Sequence, residues 1–148
     1  MRRPAIIPTA LFVVALLLGA CQQNTARSQP ITIDDAWARP GFSGENSAVY
    51  LIIKNNQNID DGATSVESDA ANMTQLHLSK MTEDGTMLME HQESVPLQAG
   101  SEVNFEPGGL HIMLMDLNQD LNPGDSISVT LHFENAASIT FEAEVREQ

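Results

Sequence analysis

Thiols are almost missing from this chain, which holds one cysteine, Cys21, among 148 residues. No disulfide can form within it, and a blue-copper centre, which needs a cysteine thiolate beside two histidines, is excluded from the folded part. Basic residues are also scarce, 7 against 20 acidic ones, for a formal net charge of −13. So acidic a surface repels nucleic acid and anionic lipid and mildly attracts cations, as would that of any soluble exported protein. There is no Ser/His/Asp order, phosphate-binding glycine loop or zinc-protease helix motif, so catalysis is not expected.

The one long apolar run, residues 5–18, follows Arg2 and Arg3 and ends at Gly19-Ala20-Cys21. It is too short for a mature membrane span and reads as a secretion signal over residues 1–20. Leu18-Gly19-Ala20-Cys21 resembles the bacterial lipobox, which makes Cys21 the acylated mature N-terminus and places the protein on the periplasmic side of a bacterial membrane. Several acyl chains hold far better than one. Gln22, by resemblance to Gram-negative sorting, favours the outer membrane. Residues 21–30 form the lipidated cysteine and a polar tether. Beyond the signal, Arg27, Arg39, Lys54, Lys80 and Arg146 face all 20 acidic residues, a formal −15.

Residues 31–148 suit one domain. Short alternating runs separated by Pro, Gly, Asn and Asp clusters predict an all-β sandwich or barrel without helices. The expected strands are 31–39, 48–55, 64–67, 75–81, 87–91, 101–105, 110–117, 126–133 and 138–145. Pro107-Gly108-Gly109 and Asn122-Pro123-Gly124-Asp125 mark turns. Trp37 is expected in or beside the core, and His132 on a solvent face.

In a strand, residues two apart share a face. That parity sets His111, Met113 and Met115 opposite Leu110, Ile112 and Leu114; it sets Met87, Met89 and His91 opposite Leu88; and it sets His77 and Met81 opposite Leu76 and Leu78. Soft ligands thus gather on the face an apolar core does not claim, although Met81, Met87 and Met115 are each open to a packing role. Neutral thioethers and imidazoles suit Cu(I), whereas zinc and calcium prefer harder donors. Only the imidazoles compete with protons, so affinity is expected to fall below about pH 6.5.

His77-Leu78, ten residues, Met89, twenty-one residues, then His111-Ile112-Met113 resembles the metal motif of the PCuAC family of periplasmic copper chaperones. The similarity extends through Asp35-Ala36-Trp37-Ala38-Arg39, residues 107–115 and residues 121–125. It implies a cupredoxin-like Greek-key fold and one Cu(I) held by His77, Met89, His111 and Met113. It also implies delivery toward the CuA centre of cytochrome c oxidase through an oxidase subunit or a Sco-like assembly factor. The chain departs from the family at Leu78, where methionine is frequent, and parity turns Leu78 inward. Met87 and His91 share the ligand parity and are candidates for a secondary metal contact. A monomer that exchanges copper with periplasmic partners is expected, with buffering of periplasmic copper as the alternative role.

Overall fold

The computed structural model describes residues 30–147; the expected signal segment, Cys21 and the tether up to residue 29 lie outside them. Among the described residues there is no helix. Ten strands follow in chain order: β1 Ile31–Ala38, β2 Ser47–Asn55, β3 Asp61–Glu67, β4 Ala71–Met81, β5 Met87–His91, β6 Val95–Leu97, β7 Glu102–Phe105, β8 Leu110–Leu117, β9 Ser126–Phe133 and β10 Ile139–Val145. Nine of them were expected, within a few residues at their ends. β6 was not, because Pro96 interrupts a three-residue run, yet Pro96 is tolerated on this short edge strand opposite Gly62.

The strands form one sheet in the order β5-β4-β8-β7-β2-β1-β10-β9-β3-β6. It coils into a sandwich: the Thr74 hydroxyl on β4 donates to the Val66 carbonyl on β3 at 2.6 Å, joining strands far apart in the sheet order. β1 belongs to both halves, antiparallel to β2 along its length and parallel to β10 at Trp37 and Ala38. A bulge between Asp34 and Trp37, with Asp35 at φ 46°, supplies the bend.

Alternation decides the core. Ile127, Val129, Leu131 and Phe133 of β9 are buried, as are Leu76, Ile112 and Leu114 beneath the candidate ligands. Trp37 packs with Ala48 and Tyr50 in a separate small cluster on the outer face, with the Arg146 guanidinium 5.2 Å from its ring centre. One expectation fails. Leu88 does not turn into the core but is 47% exposed, because the tip of the β4–β5 hairpin runs past it.

Asp61 locks the start of β3 to the loop after β9. Its carboxylate accepts from the backbone N–H groups of Gly62, Asn135 and Ala136 at 2.8, 3.0 and 2.9 Å, and from the Gln57 amide at 3.3 Å. Burial alone pushes its pKa up, but these donors together outweigh it and the net direction is below the usual 3.8. The stabilisation is therefore complete above that value and is lost as pH falls through the depressed one. Asp61→Ala is expected to lower unfolding free energy by about 1–3 kcal/mol at neutral pH, checked by urea denaturation.

Candidate metal centre

The outer face of β5-β4-β8 carries the predicted residues. His77 on β4 is directly opposite His91 on β5 and His111 on β8, so three imidazoles stand in one row across the sheet. The His77 ring lies 5.9 Å from each of the other two, centre to centre. Met113 pairs with Gln75, one step along the strands from that row, and Met89 pairs with Ser79, one step the other way. The two thioethers thus approach from opposite directions. A cleft of about 340 Å³ has both in its lining, with Ser79, Met87, His111, Tyr50, Arg39 and the Pro107-Gly108 turn among the other residues around it. Tyr50 continues the row of rings, 6.4 Å from His111 and 4.7 Å from Trp37.

His111 and His77 each have one ring nitrogen committed and the other free. In His111, 4% exposed, Nδ1 lies 3.1 Å from the Gly109 carbonyl, which can only accept; Nδ1 therefore carries the proton and Nε2 keeps its lone pair. Gly109 sits there because Gly108, at φ 83°, turns the chain just before β8. In His77, Nε2 donates to Gln75 Oε1 at 3.0 Å, and the buried Nδ1 has no hydrogen-bond partner. Such an orphaned nitrogen costs about 1–3 kcal/mol unless something binds it.

Burial, then the neighbouring His111 and His91, hold the His77 pKa below its ordinary 6.5. The imidazole thus stays in its metal-binding form to lower pH than a free histidine. Among the described residues, no group of three His, Cys, Asp or Glu side chains is gathered for a metal ion.

The other candidates separate. His91 stands in the imidazole row, whereas Met87 lies opposite Met81, four residues along β5 from His91. His132 is remote, its Nδ1 2.8 Å from the Ser138 hydroxyl and its Nε2 3.5 Å from Glu67. Sequence parity had not singled out Gln75, which orients His77, nor Tyr50, which lines the cleft. A glutamine two residues from a candidate ligand on the same face was the only available signal for the first.

The LpqE-like family model matches residues 31–145. A protein of Leifsonia xyli subsp. xyli named as a lipoprotein is 31% identical over 140 residues, 87% of this chain and 83% of its own length. Among solved structures, the copper-bound PCuAC domain from PmoF2 superimposes with a TM-score of 0.67 at 26% identity, covering 80% of this chain and 94% of that domain. The Cu(I) form of DR1885 from Deinococcus radiodurans gives 0.60 at 19% identity, covering 87% of each chain, and shows the shared fold alone.

Proposed function

Since the chain belongs to the LpqE-like family and has the cupredoxin-like PCuAC fold, we propose that it is a Cu(I) chaperone binding one ion through His77, Met89, His111 and Met113. The observation that carries this reading is the pair of histidines with prearranged tautomers, His111 Nε2 and the unpartnered His77 Nδ1, beside a cleft that Met89 and Met113 line. Two neutral imidazoles and two neutral thioethers leave a complex of net +1 that the acidic domain tolerates. Met89 is 53% exposed and flexible, so a partner's ligands can displace it first and take the ion through a shared intermediate. Carriage of this kind needs no bond chemistry.

X-ray absorption at the copper edge tests the coordination. Two sulfur and two nitrogen neighbours are expected, and a shell of nitrogen and oxygen alone would refute it. The acyl group on Cys21 holds the domain at the outer side of the cytoplasmic membrane or beyond, and delivery runs toward the CuA centre of cytochrome c oxidase. A deletion strain is expected to lose oxidase activity under copper limitation; normal oxidase with heightened copper sensitivity marks buffering instead.

Gln75→Ala frees the His77 ring and is expected to weaken Cu(I) binding about 10-fold, the low end for lost outer-shell partners. Burial holds the His77 pKa below the usual value, so its share of the acid loss of affinity is expected at lower pH than for an ordinary imidazole ligand. Competition titrations against a chromophoric Cu(I) chelator between pH 5 and 8 measure both effects.

A further inference from the structure

Beyond Met89, the β4–β5 hairpin carries two more thioethers on the same face, and packing does not account for them. Thr82 N–H bonds the Thr86 carbonyl and Gln92 N–H bonds the Leu76 carbonyl. These fix the hydrogen-bonded positions of the antiparallel ladder, so Met81 and Met87, like Ser79 and Met89, are the close pairs between them. At such positions side chains on facing strands have Cβ atoms roughly 4.5–5.5 Å apart. Met89 follows Met87 two residues on, one step toward the imidazole row. Met81 is 65% exposed and Met87 47%, and across the hairpin Leu88 is equally exposed, so this tip stands clear of the core on both faces.

The tip is nevertheless well held. The Asp84 carboxylate accepts from the Thr82 hydroxyl and from Thr86 N–H, and these bonds keep its pKa below the usual carboxylate value. Gly85, at φ 82°, provides the backbone conformation the turn requires. Lys80 and Glu90 pair at 2.6 Å on the opposite face, and Arg39 lines the cleft together with Met87 and Met89.

We propose that Met81, Met87 and Met89 form a second, thioether-only site for a soft monovalent ion, Cu(I) above all. This rests on the chaperone reading, because Met89 serves both places. An ion on the three sulfurs stands at the mouth of the cleft that holds His111 and Met113, and by exchanging Met81 and Met87 for imidazole nitrogens it enters the first site without being released to water. The reverse order carries it out. No electron moves and Cu(I) stays Cu(I). Thioethers do not protonate, so the tip keeps its ion under acid conditions that strip the histidines.

The test uses protein labelled with carbon-13 at the methionine ε-methyl groups, titrated anaerobically with Cu(I), and with Ag(I) as a redox-inert surrogate, at pH 7 and pH 4.5. Two equivalents are expected at pH 7, the second weaker because both ions draw on Met89. At pH 4.5 one is expected, shifting the Met81, Met87 and Met89 methyls. Met81→Leu keeps the apolar volume and is expected to remove the second equivalent, while the first, whose cleft Met81 does not line, still binds. Met81 and Met87 methyls that stay still at every metal ratio, with Met89 and Met113 responding, overturn the second site alone. Equal shifts at Met73, which is 54% exposed at the far end of the same face, mean binding to any exposed thioether and overturn it too. No response at Met113 at pH 7 refutes the chaperone reading instead.

Discussion

Alanine at His111 lowers Cu(I) affinity by more than about 100-fold, exceeding the loss from removing an outer-shell partner. The ring supplies the ligand nitrogen, and its Nδ1–H fixes that nitrogen by donating to Gly109. Met113→Ala, on the same strand and face, is expected to act in the same direction with a smaller loss, since three donors remain. His111 is buried, so a melting curve accompanies each titration. His77→Ala provides the control: its side chain is only half-buried, and it removes a ligand with less risk to packing. Unchanged affinity in both histidine variants, with the fold intact, would eliminate the site.

The second large effect lies one residue from Met113, on the other side of the same strand. Leu114 is fully buried, paired with Ser47 on β2 and Thr74 on β4, where the two halves of the sandwich meet. Leu114→Ala is expected to cost about 2–5 kcal/mol through lost burial and the cavity left behind. Against a typical total of about 5–15 kcal/mol this removes much of the stability, and the melting temperature falls by roughly 10–20 °C. Because Cu(I) binds only the folded form, saturating metal is expected to restore about 4 kcal/mol at a thousand times the dissociation constant. Calorimetry of the apo and loaded variant measures both, and a fall under about 3 °C would show that β8 is not a core strand.

The strand pattern was legible because hydrophobic burial imposes a two-residue period, which β9 displays almost without exception. The same period put His77, His111 and Met113 on the outer face, since a face already filled by Leu76, Ile112 and Leu114 has no room for them. Parity says nothing of where a sheet ends. It gave Leu88 an inner face to pack against, whereas the hairpin tip extends past the core and exposes it. For the same reason Met81 and Met87, open to a packing reading, turn out to have nothing to pack on. β6 escaped notice because three residues around a proline carry no period. The roles of Gln75 and Gly109 depend on which ring nitrogen each meets, and that information exists only once neighbouring strands are in register.

The parallel contact between β1 and β10 joins Trp37 and Ala38 to Glu144 and Val145. The middle of the sheet is therefore completed only when β10 pairs with the other edge of β1, and a fragment that stops before β10 leaves that edge unpaired. Domains dominated by pairings between distant parts of the chain fold in roughly milliseconds to seconds. A polypeptide ending before residue 139 is expected to lack a cooperative melting transition altogether, and the quality control that removes incomplete chains would find this one open from end to end.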